Sequence, residues 1–160
     1  MEHVKYLQPI LQTDRRLPAA IGRWGCLMMS CFTLPQFRLK VQFDAEEIIS
    51  MYEKGFPAGV FKKREGPGEF DVASIEDAIT MAFRLTGATH TAYHIGNRTE
   101  YLGYRTPHRT DYTMLKGQTS RGGPHWMLGD QFGERMYDPD PSLSVVLQED
   151  CHMLRFRIEL

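Results

Sequence analysis

Apolar positions in the first half of the chain recur at helical intervals. Ile21, Trp24, Leu27, Met28, Cys31, Phe32 and Pro35 follow a three-and-four spacing, which predicts a buried helix that starts between Gly22 and Gly25 and ends near Pro35. Asp44 with Glu47 three residues on has the spacing of an acidic capping box, so a second helix is expected to run to about Lys54 and stop at Gly55. Residues 55–70 are rich in Gly and Pro and are expected to be a loop with one short strand at 59–62. Asp71 or Ser74 then caps a third helix, whose apolar face carries Val72, Ile75, Ile79, Ala82, Phe83 and Leu85 and which Gly87 ends.

Beyond Gly87 the period changes. Segments rich in Tyr, Thr, Val, Trp and Phe, at 91–95, 101–104, 112–115, 125–128, 135–137, 144–147 and 153–158, alternate with turn residues and read as strands. Helices first and strands afterwards predict an α+β fold, with N-terminal helices packed on a C-terminal, mainly antiparallel sheet. No repeat, low-complexity tract or linker divides the chain, so residues 1–160 are read as a single domain.

Composition narrows the function. With 160 residues and 42% hydrophobic content, a core forms without disulfide or metal staples. Nineteen basic and twenty acidic side chains give a net charge of -1, and no basic run exceeds Lys62-Lys63-Arg64, which argues against a nucleic-acid partner. No window approaches about 18 uninterrupted apolar residues, and residues 1–16 lack the apolar stretch of a signal peptide. A cytoplasmic protein without membrane insertion is expected. Three cysteines, with no two-residue spacing among them, fit a reducing compartment.

Two features carry chemistry. Cys26 follows Gly25 at the start of the buried helix, where unpaired amides and the positive end of the helix dipole favour a thiolate. Its own N–H is then placed to hold an oxyanion. Taken alone, such a cysteine is more often a small core hydrophobe. The second feature is the hairpin signal at 123–139. If Leu128 pairs with Arg135, His125 falls opposite Asp138, about 4.5–5.5 Å away at Cβ, close enough for the carboxylate to accept a hydrogen bond from Nδ1–H of the imidazole. A histidine oriented by a carboxylate is the base that a cysteine nucleophile needs. The plainer alternative is that Asp138-Pro139 begins a turn and His125 decorates a strand.

Gly25-Cys26 at a helix start, followed about a hundred residues later by Gly123-Pro124-His125-Trp126-Met127-Leu128-Gly129-Asp130 and then by Tyr137-Asp138-Pro139, resembles the papain-like cysteine peptidase superfamily. Within it the chain is similar to the small bacterial and phage-associated branch related to the peptidases that process double-glycine leaders of bacteriocins. The likeness spans roughly residues 8–140. It implies a papain-like fold with Cys26 as nucleophile, His125 as general base and acid, and Asp138 as orienting carboxylate. Such peptidases carry an oxyanion-hole glutamine a few residues before the cysteine. Here the candidate is Gln12, fourteen residues before Cys26, with Gln8 further off, and Leu27 stands where many relatives have an aromatic or small residue.

Other signals are weaker. His90, His94 and His108 invite a metal, but the residues around them favour a strand and no glutamate follows His90 as in the zinc-protease motif, so no metal is expected. Cys31 is rotated about 140° from Cys26 on a helix and belongs to the core. Cys151-His152 lies on one strand with side chains on opposite faces and is read as structural, and His3 and His152 as surface histidines. Asp140 is a second carboxylate candidate, but Pro139 and Pro141 suggest that the strand has ended before it. Trp24 and Trp126 flank the reactive positions and are candidates to line a substrate groove.

The expected function is a thiol hydrolase that cleaves a peptide or amide bond of a peptide or protein substrate through a Cys26 thioester, with no cofactor. An acyltransferase would use the same triad. The alternative is a catalytically silent papain-like fold acting as a binding or assembly module of prophage origin. The sequence carries no signal for oligomeric state.

Overall fold

A helix with no polar face stands at the centre of the molecule. In the computed structural model, which describes residues 1–97, 108–120, 123–143, 145–146 and 153–160, helix α1 (Ala19–Trp24) is followed across Gly25 by helix α2 (Cys26–Leu39). Every α2 residue from Met28 to Gln36 is buried. Its polar members satisfy themselves locally, as Thr33 Oγ1 donates to the Met29 carbonyl at 2.7 Å and Gln36 Nε2 to that of Phe32 at 3.2 Å. The helix expected to start between Gly22 and Gly25 is preceded by the separate α1 and itself starts at Cys26. It also continues past Pro35 to Leu39, because packing on all sides outweighs the single helical bond that proline forfeits.

Gly25 makes the break. A Cβ there would lie 2.5 Å from the Ile21 carbonyl oxygen, which accepts the Gly25 N–H at 2.8 Å. Only glycine lets the chain re-aim at that point.

Helix α3 (Ala45–Gly55) begins with the expected capping box. Asp44 accepts the Glu47 N–H at 2.8 Å and Glu47 accepts that of Asp44 at 3.1 Å. Helix α4 (Ile75–Leu85) is capped by Ser74, whose hydroxyl accepts the Asp77 N–H at 3.2 Å. Asp71 and Val72 are not part of it. They belong to strand β4 (Phe70–Val72), which pairs with β3 (Phe61–Lys63). The expected strand at 59–62 thus lies two residues later, after a turn at Gly59, whose φ is +77°. Two further short strands, β1 (Glu2–His3, exposed) and β2 (Val41–Gln42), pair with each other without a sequence signal.

The second half is an antiparallel sheet. Its path runs β5 (Thr91–Asn97), β10 (Met153–Glu159), β6 (Asp111–Thr119), β7 (Pro124–Gly129) and β8 (Arg135–Tyr137). β9 (Val145–Val146) continues the β10 side of β6, pairing with Gln118 and Thr119. The last strand thus lies between β5 and β6, and buried Asp111 holds it there by accepting from Arg157 Nε at 2.8 Å and Nη2 at 3.1 Å. The α+β expectation holds, with α2 packed on β7 and α4 on β5. The expected strand at 101–104, and Cys151-His152, lie outside the described residues. Among the described residues no helix is long and apolar enough to cross a membrane.

Candidate active site

Cys26 is the first residue of α2, so its amide heads the run of N–H groups that a helix leaves without intrahelical acceptors. The side chain is half-buried at the mouth of a cleft, whereas Cys31, one turn further on, is fully buried. Burial pushes the Cys31 thiol far up, which keeps it protonated and inert. Strand β7 carries His125, which is only 2% exposed. Gly117 is its partner across the β6–β7 ladder, so no cross-strand side chain crowds the imidazole on that side.

Asp138 reaches His125 by a route other than the expected one. Gly129 pairs with Arg135 and Leu128 with Tyr137, with an irregularity between them, so Leu128 does not face Arg135. That register extended would set His125 opposite Asp140. Instead β8 ends at Tyr137, and Asp138 turns back so that its Oδ1 lies 2.6 Å from His125 Nε2. Asp140 is occupied elsewhere, accepting from the backbone and hydroxyl of Ser142, while its own N–H donates to Asp138 Oδ1 at 3.0 Å. The ring nitrogen facing the carboxylate is therefore Nε2, not the expected Nδ1. That leaves Nδ1 turned from the carboxylate, and Cys26 is near enough to the imidazole to help raise its pKa.

Burial works against a charged His125, but its interactions with Cys26 and Asp138 outweigh it and hold its pKa above the ordinary histidine value. Arg135 Nη1 approaches the other carboxylate oxygen of Asp138 at 3.6 Å. Ser30, which carried no sequence signal, ties the two walls together: its hydroxyl lies 2.9 Å from the Cys26 carbonyl and 3.4 Å from that of Trp126.

Gln12 is also brought close to this assembly. It is 4% exposed, its Nε2 donates to the Gly22 carbonyl at 3.0 Å and its backbone N–H to the Pro139 carbonyl at 3.0 Å. Its Oε1 is buried with no partner among the described residues. Gln8 exchanges bonds with the Gln42 side chain instead.

The cleft beside Cys26 has a volume of about 700 Å³ and is lined by Trp24, Leu27, Trp126 and Leu143 together with strand β4. Bonds from Arg64 N to Glu69 O and from Ala73 N to Val60 O set the phase of the β3–β4 ladder. By that phase Asp71 exchanges bonds with Lys62, and the main-chain groups of Phe70 and Val72 point away from β3. Among the described residues nothing pairs with this edge of β4, which borders the cleft.

His90, His94 and His108 each have a local contact. The His90 ring stacks on Phe83 with centroids 4.9 Å apart, His94 Nε2 meets Asn97 at 3.2 Å and His108 Nδ1 meets Thr110 at 2.7 Å. Among the described residues no group of three or more His, Cys, Asp or Glu is placed to hold a metal. Compared with known protein families, curated proteins and solved structures, the chain finds no match in any of the three.

Proposed function

We propose that this chain is a papain-like thiol hydrolase that cleaves a peptide or amide bond through a thioester on Cys26. The observation that carries the reading is the buried His125, bonded through Nε2 to Asp138 Oδ1 at 2.6 Å and within electrostatic reach of Cys26. That order supports proton transfer from sulfur to Nδ1, with Asp138 fixing the tautomer and orientation of the ring.

In this mechanism the Cys26 sulfur attacks the scissile carbonyl carbon and a C–S bond forms. The Cys26 N–H, at the head of α2, stabilises the oxyanion. His125 delivers the proton from Nδ1 to the departing nitrogen as the C–N bond breaks. Water then gives a proton to Nδ1, attacks the thioester carbonyl and releases the sulfur. The free edge of β4 favours an extended peptide as substrate, because the main-chain groups of Phe70 and Val72 are available to pair with it alongside the nucleophile.

Alkylation of Cys26 by iodoacetamide, located by peptide mapping, tests the reading. The expected result is rapid modification at about pH 6, well below the range in which a free thiol reacts, and its loss in His125→Ala. A Cys26 that is inert, or that behaves as a free thiol in both proteins, overturns it. The second reading, a silent binding or assembly module, would then stand on the β4 edge, which pairs with a strand whether or not the strand is cut.

A further inference from the structure

Given the thiol-hydrolase reading of Cys26, His125 and Asp138, we propose that residues 10–12 form a strap that holds the two halves of this triad together, with Gln12 as its positioning residue. At one end the strap grips α1, since Gln12 Nε2 donates to the Gly22 carbonyl at 3.0 Å. Gly22 lies four residues before Cys26, so in a continuous helix this carbonyl would accept the Cys26 N–H. Gln12 takes one lone pair of that carbonyl, and no bond from the Cys26 N–H to it forms among the described residues. The approach is close, as a Cβ on Gly22 would sit 3.5 Å from the Gln12 carbonyl oxygen.

At its other end the strap holds both neighbours of Asp138. The Tyr137 hydroxyl donates to the Ile10 carbonyl at 2.7 Å, and the Gln12 N–H donates to the Pro139 carbonyl at 3.0 Å. Asp138 is thus pinned on either side by a segment that is itself pinned to the helix leading into the nucleophile. Both anchors are out of water, with Gln12 4% and Tyr137 6% exposed. Each bond lost there would leave a buried polar group without a partner.

The unpartnered Gln12 Oε1 adds a second argument. A buried amide with one idle end is a costly way to fill space, and a leucine would occupy the volume without that cost. What a leucine cannot do is donate to Gly22. The family likeness implies a different role for Gln12, direct donation to the substrate oxyanion, and the two roles separate experimentally. A strap acts on the imidazole before any substrate is present, whereas an oxyanion donor acts only on the reacting carbonyl.

The test is an NMR titration of His125 in the full chain carrying ¹³C-labelled histidine, for wild type, Gln12→Leu and Tyr137→Phe, each checked for folding by near-ultraviolet circular dichroism. His125 is faced by Cys26 from α2 and by Asp138 beyond β8, with Arg135 on the far side of that carboxylate. The strap predicts that the midpoint falls toward the free-histidine value of about 6.5 in Gln12→Leu, and less far in Tyr137→Phe. Cys26 alkylation at about pH 6 is expected to slow about tenfold in Gln12→Leu as the base loses its alignment. Tyr137→Phe removes one oxygen and keeps the test alive should Gln12→Leu not fold. A wild-type midpoint in the folded variants overturns the strap, and a drop in peptide turnover with that midpoint and alkylation unchanged assigns Gln12 to the oxyanion instead. An inert Cys26 in wild type would overturn the hydrolase reading alone, because the His125 midpoints still report whether the strap positions the ring.

Discussion

Ser30 offers one hydroxyl proton to two carbonyls, that of Cys26 at 2.9 Å and that of Trp126 at 3.4 Å. The first keeps it within its own helix, and the second reaches the β7 residue next to His125. Cys26 and His125 stand on elements far apart in sequence, and this fully buried hydroxyl is a direct polar link between those elements. Ser30→Ala is expected to cost about 1 kcal/mol in denaturant unfolding and to slow Cys26 alkylation, with no effect on alkylation of the protein after unfolding. Unchanged stability and unchanged alkylation would show that the link contributes nothing.

His125 makes stability depend on pH in a definite direction. Its folded pKa lies above the unfolded value near 6.5, so its contribution is fully present below about pH 6.5 and is lost as pH rises through the folded value. Urea unfolding midpoints measured across that window should fall with pH in wild type. In His125→Gln the fall should be absent from the same window. A slope that persists in the variant would assign the effect to another group.

Gly25 is expected to tolerate no side chain. An alanine Cβ would sit 2.5 Å from the Ile21 carbonyl oxygen, a contact relieved only by moving α1 or the start of α2. Gly25→Ala should cost roughly 2–4 kcal/mol and reduce Cys26 reactivity in whatever folded protein remains. Gly22→Ala, where the nearest atom outside the local helix is 3.5 Å away, is the milder control.

The phase of the β3–β4 ladder separates two neighbouring positions in β4. Val72→Pro removes an N–H that faces the cleft and none that bonds β3, so the expected result with a peptide substrate is a several-fold rise in KM with the fold intact. Asp71→Pro removes a bond to Lys62 and should destabilise the hairpin. An unchanged KM in a folded Val72→Pro protein would exclude pairing along this edge.

Much of the local structure was legible from the residues because it depends on near neighbours. The capping box at Asp44 and Glu47, the helix over 75–85 and the change to a two-residue period after Gly87 depend on contacts within a few positions, and the structure has them. The pairing of His125 with Asp138 was also legible, since a short hairpin leaves two such side chains few places to go. Its details were not. The irregularity between Leu128 and Gly129 shifts the register, and the end of β8 at Tyr137 brings Asp138 to Nε2, because turn geometry and the covering strap decide where the strand stops. β4 is three residues long, too short to show a period, and became a strand only by pairing with β3.

By itself, then, the sequence determined the longer helices and most of the longer strands, and that a cysteine at a helix start and a histidine–aspartate hairpin exist in one chain. Tertiary structure alone decided that they meet. About a hundred residues separate Cys26 from His125, and no local rule spans that distance. The burial of α2 against β7 brings the thiol to the imidazole, and the threading of residues 10–12 between Gly22 and Pro139 places Gln12 there as well. Such contacts follow from the closing of a whole core, in which each element is positioned by all the others it packs against.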